Sequence, residues 1–246
     1  TMSWKIGLVG TGNVAAFWAV NLTKAKGISL YVKGSNEDKT AEFCNNYHVN
    51  IANKESVVDC YFVCVQDRNI TEVIQSLEDS IPVFICAGLF SIHAYSNRPM
   101  GIIYPLQTIQ TNALPSFEEV PFLCEFNSEA HEFGNSLLRQ LSLNFTLLNE
   151  EARFASHVAA VFINNFGYFV MNQGIAHARS HQIPVNLFES LISKTTSNLL
   201  ISKDLQTGPA KRNDVITMDK HKALLSGLTL ALYEYLSAQI KNNHTQ

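Results

Sequence analysis

Short apolar runs alternate with longer segments of helical period through the first half of the chain. Lys5–Val9, Ser29–Val32, Tyr61–Val65, Val83–Cys86 and Gly101–Ile103 are short, rich in Val, Ile and Phe, and bounded by turn residues. Between them Val14–Lys24, Asp38–Tyr47 and Ile70–Leu77 carry helical spacing. Strands buried on both faces read as continuous apolar runs, and their alternation with helices predicts a parallel, doubly wound sheet. Phe122–Phe126 and Phe145–Leu148 flank a helix from about Ser128 to Leu141, and both extend the same sheet.

After Asn149 the pattern changes. Glu150 to Ser180 has no breaker except Gly167 and Gly174, and its apolar residues recur at helical spacing. Pro184 opens a helix over Asn186–Ser202, and Val215–Lys241 gives one or two more. The predicted class is α/β: a Rossmann doubly wound parallel sheet over residues 1–149, then an all-α domain over 150–246. The most apolar stretch, Val158–Met171, is broken by Asn164 and Asn165, which predicts a buried helix and not a membrane span. Phe154, Val158, Val161, Phe162, Phe166, Phe169 and Val170 make its stripe wider than a surface helix needs. A homodimer through this helical domain would cover it; so would the other helices of a monomer.

The first strand runs into Gly10-x-Gly12-x-x-Ala15. The first glycine permits a tight turn, the second a close backbone approach to a pyrophosphate, and the small third residue close helix packing. Amides of the helix starting near Asn13 then face the phosphates. A strand before, a helix after and a second strand on schedule supply the context that a lone fingerprint lacks. An NAD site usually ends its second strand in Asp or Glu, whereas this one ends Lys33-Gly34-Ser35-Asn36, with no acid until Glu37. Lys33, Ser35 and Asn36 could hold a 2′-phosphate, which favours NADP over NAD, although a solvated surface lysine would look the same.

Composition narrows the partners. The chain has 246 residues, 46% hydrophobic and 16% charged, with net charge −3, so nothing electrostatic points to nucleic acid or an anionic membrane. Five cysteines, none in a C-x-x-C, read as reduced core residues of a cytoplasmic protein, and no signal sequence is visible. His177 and His181 have the spacing of a metal pair but no third ligand, so no metal is expected. His157 and Asn164 share a helix face with Asn165 alongside, either as core hydrogen-bonders or as the polar lining of a cleft. In the second case His157 could move the proton that accompanies hydride transfer. Between two helices, Lys211, Arg212 and Asp214 follow the Gly208-Pro209 turn. Arg212 could grip a carboxylate or phosphate with Asp214 fixing its fork, or Asp214 could simply cap the next helix.

Taken in order, Gly10-x-Gly12-x-x-Ala15, Ile103-Tyr104-Pro105-Leu106-Gln107-Thr108, His157-x-x-Ala160-x-x-x-x-Asn165 and Thr207-Gly208-Pro209-x-x-Arg212-x-Asp214 resemble a family of Rossmann-like bacterial proteins. Its C-terminal part is a domain of unknown function, and its members are described as NADP oxidoreductases or relatives of deazaflavin-dependent oxidoreductases. The chain is more distantly similar to pyrroline-5-carboxylate reductase and the 6-phosphogluconate/β-hydroxyacid dehydrogenase superfamily. The resemblance implies a helical domain like the C-terminal part of 6-phosphogluconate dehydrogenase, with a small substrate at the domain junction. It places Gly10, Thr11, Gly12, Asn13 and Val14 on the pyrophosphate, and Gln66, Asp67, Ala87 and Gly88 along the cofactor. His157, Tyr104, Asn164 and Asn165 become the catalytic candidates, and Arg212, Asp214 and Lys211 those for an anionic substrate. The family commonly has His where Tyr104 stands. The hydroxyacid dehydrogenases use a lysine on the helix entering the second domain, and here no Lys lies between Asn149 and Lys194. The expected activity is NADP-dependent hydride transfer to or from a small carbonyl, imine or hydroxyl; the rival is a sensor that binds NADP(H) and catalyses nothing.

Overall fold

The computed structural model describes residues 3–201 and 205–243. Ser202, the expected end of the helix opening at Asn186, lies outside them. Among the described residues eight strands form one sheet in the order β3-β2-β1-β4-β5-β6-β7-β8. The strands are β1 (Trp4–Val9), β2 (Ile28–Lys33), β3 (Asn50–Ile51), β4 (Cys60–Val63), β5 (Val83–Ile85), β6 (Met100–Pro105), β7 (Phe122–Phe126) and β8 (Phe145–Leu147). The first six strands in chain order run parallel, as predicted. Two features were not legible. β3 has only two residues, too few for a periodic signal, and β7 pairs antiparallel with β6, with Ile103 opposite Cys124. β8 then returns parallel to β7 through α4 (His131–Gln140).

The sheet is held by what its helices bury. In α1 (Asn13–Leu22) Ala15, Ala16, Phe17, Trp18, Ala19 and Leu22 are all buried, so the helix is apolar on most sides. Trp18 meets Phe62 edge-on at 4.7 Å and Phe122 at 5.4 Å, while Phe62 meets Phe84 at 5.9 Å. Aromatic edges thus tie the strands beneath α1, a packing that adds to simple area burial. α2 (Glu37–Tyr47) and α3 (Asp67–Gln75) complete the alternation. The strand order reverses between β1 and β4, which opens a crevice outside their carboxyl ends.

The long helix expected over Glu150–Ser180 is three segments. α5 (Glu150–Ala160) starts at Asn149, whose side chain accepts the Ala152 N–H, with Glu150 and Glu151 in its first turn. A π-turn covers Val161–Phe166, and α6 (Gly167–Ser180) follows. The chain divides into two compact units, one ending at Asn165 and the other starting at Phe166. The sheet itself ends with β8 at Leu147, just before α5. In the second unit come α7 (Glu189–Asn198), α8 (Val215–Lys222) and α9 (Gly227–Asn243).

Within the single chain Val158–Met171 is not covered by its own helices: Phe162 is 65% exposed and Tyr168 71%. Residues 150–180 are long and apolar enough to cross a membrane by length and composition alone. A span needs about 20 apolar residues, however, and α5 is fastened to the sheet through the wholly buried Arg153. What remains beyond the π-turn is too short to span.

Candidate active site

Each turn at the carboxyl ends of the strands has a physical reason for its residues. Gly10 has φ +121°, and a Cβ there would stand 2.4 Å from the Cys64 carbonyl oxygen. Only glycine fits a left-handed backbone pressed against a neighbouring strand. Its N–H donates to the Lys33 carbonyl at 2.9 Å, joining the ends of β1 and β2. Gly12 differs: its φ is −88° and nothing lies within 4 Å of a Cβ built there. It is the N-cap of α1, without a side-chain cap and without an acid in the first turn. The first amides of α1 are therefore left for an anion, and the bare backbone at Gly12 fits a pyrophosphate drawn against it. Thr11 Cγ2 would come within 3.2 Å of a Gly34 Cβ, bringing the two glycine turns together.

At the end of β2, Lys33 and Ser35 are exposed. Asn36 caps α2: its Oδ1 accepts the Lys39 N–H at 2.9 Å, which leaves its amide N–H group for a ligand. Gln66 and Asp67 are exposed where β4 gives way to α3. Asn13 Nδ2 donates to the Ile109 carbonyl at 3.2 Å, tying α1 to the segment after β6.

Gly88, Tyr104 and His157 meet at one point. A Cβ on Gly88 would stand 2.7 Å from His157 Cδ2 and 3.1 Å from the Tyr104 ring. The rings of Tyr104 and His157 are 5.7 Å apart between centroids. They open on a cavity of ≈ 650 Å³ within the first unit, lined from β6 onward by Tyr104, Gln107 and Thr108 and from the helix by Ser156, His157, Asn164 and Asn165. Apolar walls come from Leu106, Val161 and Ile163. Among the described residues no Asp, Glu, Lys or Arg lines the cavity. Burial pushes the Tyr104 hydroxyl above its ordinary value, so it stays protonated through neutral pH. Of the two arrangements open to His157, Asn164 and Asn165, the three side chains line this cavity, and regular helical spacing does not produce it. The π-turn widens the helix at Val161–Phe166, and π-turns inside α-helices recur at functional sites.

Arg153 escaped the sequence reading. Its guanidinium donates to Glu125 Oε2 from Nη2 (2.8 Å) and Nε (3.2 Å), to the Phe90 carbonyl (2.8 Å) and to the Gly88 carbonyl. The available signal was its position, one helical turn before His157. Ser156, Gln107 and Thr108 were likewise unassigned, although the last two stand inside the motif around Tyr104.

Arg212, Asp214 and Lys211 belong to the second unit. Asp214 is the N-cap of α8: its Oδ1 accepts the Thr217 N–H at 3.1 Å and its Oδ2 the Thr217 hydroxyl at 2.8 Å. These bonds, with a smaller contribution from the Arg212 charge, hold the Asp214 carboxyl below its usual value. Arg212 is exposed. The rings of His177 and His181 lie 4.5 Å apart between centroids and are tilted by 47°, with His181 Nδ1 3.0 Å from the His177 carbonyl oxygen.

Strand order, glycine turn and cavity define the class: a Rossmann-type dinucleotide-binding unit with a polar pair at the strand ends, followed by a helical unit. Comparison with known proteins then places it more closely. Residues 5–85 match the family model of the coenzyme F420-dependent NADP oxidoreductases, and residues 120–240 match a domain of unknown function, DUF2520. No protein of curated function matches the chain. Among solved structures it is similar to a candidate NADP oxidoreductase from Bacteroides fragilis, at 24% identity over 98% of both chains and a TM-score of 0.83. It is also similar to 1-pyrroline-5-carboxylate reductase from Streptococcus pyogenes, at 15% identity, TM-score 0.60, over 98% of this chain and 99% of that one. A third is an imine reductase from Myxococcus stipitatus in complex with NADP+, at 16% identity, TM-score 0.64, over 97% and 93%.

Proposed function

We propose that the protein is an NADP-dependent oxidoreductase acting on a small carbonyl, imine or hydroxyl substrate held in the Tyr104–His157 cavity. The observation that carries this reading is the contact of Gly88, Tyr104 and His157 beside a cavity of mixed polar and apolar lining, at the ends of the strands that follow the glycine turn. Gly10, Thr11, Gly12, Asn13 and Val14 hold the pyrophosphate, Lys33, Ser35 and Asn36 the 2′-phosphate, and Gln66, Asp67, Ala87 and Gly88 the path toward the nicotinamide. When bound, the reduced cofactor supplies a hydride. The chain then supplies a proton to the substrate oxygen or nitrogen, from the protonated Tyr104 hydroxyl or the His157 ring. Asn164 and Asn165 orient the polar group, and the apolar walls limit water.

Among the described residues the lining holds no carboxylate, lysine or arginine, so no fixed charge there offsets an ionic group on the substrate. An anionic group on the substrate needs a cation from outside the lining, the role assigned to Arg212 and Lys211, with Asp214 as the cap that fixes their turn. We also place two copies of the chain in a homodimer through the helical unit. Among its described residues only Ala178 and Ala210 are buried, and helices without a core do not persist on propensity alone. Five free cysteines suit a reducing compartment such as the cytoplasm.

The test is NADPH oxidation, followed by nicotinamide absorbance, across aldehydes, ketones, keto acids and cyclic imines, with a deazaflavin as a separate acceptor. His157→Ala is expected to abolish turnover and retain NADPH binding, and Tyr104→Phe to cost roughly 10²–10⁴-fold if the phenol is the donor. Full activity in His157→Ala removes that residue from the mechanism. NADPH binding without oxidation of any acceptor favours the sensor. That outcome draws support from Tyr104, which stands where histidine is common, and from the lack of a lysine on α5.

A further inference from the structure

Arg153 is wholly buried and is not part of the cavity lining. Its guanidinium joins three parts of the first unit: its own helix α5, Glu125 on β7, and the Gly88 and Phe90 carbonyls after β5. Burying an ion pair adds little stability compared with apolar residues of the same volume, so stability alone does not account for it. What the planar fork provides is direction, because its donors fix two carbonyls and one carboxylate in a single plane. His157 follows one turn later on the same face of α5 and touches Gly88, whose carbonyl Arg153 holds. His93 faces the cluster from outside, 4.0 Å from Glu125 and 3.8 Å from Glu150.

We propose that Arg153, clamped by Glu125, is a positioning residue that locks α5 against the Gly88–Phe90 segment and so sets His157 over Gly88 and Tyr104. Its kinetic consequence rests on the oxidoreductase reading above; its effect on His157 does not.

The test uses the full chain with Arg153→Met combined with Glu125→Gln, which leaves no unpaired buried charge, and Arg153→Lys as a second variant that keeps the charge and loses the fork. Four readouts are taken: thermal midpoint, NADPH affinity by fluorescence, kcat and KM, and the His157 ring resonance, identified by its loss in His157→Ala. The folded double variant is expected to bind NADPH within about threefold of wild type. Its kcat should fall by roughly 10–100-fold, more than KM changes, as for a misplaced catalytic group. The His157 resonance should move toward that of a solvent-exposed histidine. A folded variant with wild-type kcat, or one losing cofactor affinity and kcat together, overturns the proposal. If the double variant does not fold, Arg153→Lys is judged by the same criteria. If wild type itself oxidises no NADPH, the oxidoreductase reading fails and the resonance decides alone. A shift supports the positioning role, and an unchanged His157 signal overturns it.

Discussion

At the scale of the residue, two glycines two positions apart in their motif face opposite constraints. Gly10 is required by the protein itself, through a positive φ and the Cys64 carbonyl 2.4 Å from its missing Cβ. Gly12 is not, since its φ is ordinary and its Cβ would meet nothing within 4 Å. Gly10→Ala should therefore cost at least about 2 kcal/mol of stability, from the left-handed backbone and the clash with a neighbouring strand. Gly12→Ala should stay within about 1 kcal/mol of wild type, the range of a changed helix cap, while NADPH affinity falls. Denaturant titration and cofactor fluorescence separate the two. A Gly12→Ala protein that binds NADPH normally argues against pyrophosphate contact at this backbone. The pair shows that one sequence fingerprint holds both a folding requirement and a binding requirement.

At the scale of the element, the helix from Glu150 to Ser180 carries most of what distinguishes this chain from a bare Rossmann domain. Its first segment is locked to the sheet by Arg153, and its π-turn presents Asn164 and Asn165 together with His157 to the cavity. A π-turn has one residue more than the i→i+4 ladder needs. Deleting Ile163 should close the wide turn into a continuous α-helix and shift Asn164 and Asn165 from their places in the lining. The expected result is an unchanged nucleotide affinity, because the glycine turn is untouched, with turnover lost because the asparagines leave the lining. Retained turnover in the deletion would remove both asparagines from the mechanism. The tyrosine on β6 brings a pH dependence of its own. Its pKa is raised by burial, so its contribution to stability is full below the ordinary tyrosine value of about 10 and is lost as pH rises through the folded value. Within the neutral range the phenol is a constant donor.

At the scale of the whole molecule, the two units differ in how they satisfy the hydrophobic effect. The first has a closed core around Trp18, Phe62, Phe84 and Phe122. The second leaves Tyr168, Leu191 and Leu228 exposed, at 71%, 63% and 58%. These apolar side chains, exposed on α6, α7 and α9, fit the proposed pairing of two copies. Sedimentation should show a dimer, and the thermal midpoint should rise with protein concentration, as mass action requires. Tyr168→Glu with Leu191→Glu should give a monomer of lower thermal midpoint. A wild-type chain that sediments as a monomer at all concentrations would exclude the homodimer.

The sequence by itself determined the Rossmann architecture, the glycine turn and most strand and helix positions. Those features depend on local chemistry: apolar runs, helical period, and backbone angles open only to glycine. It also held the motif around Tyr104 and the polar positions His157, Asn164 and Asn165, though not the reason they meet. Tertiary structure alone decided the rest. The antiparallel turn of β7 puts Glu125 within reach of Arg153, a pairing across 28 positions that no periodicity encodes. The π-turn arises from one extra residue in a helix whose composition reads as regular. Whether Val158–Met171 was buried depended on what surrounds it and not on its own hydrophobicity. Local physics writes the elements into the chain, while the site exists only where those elements are brought together.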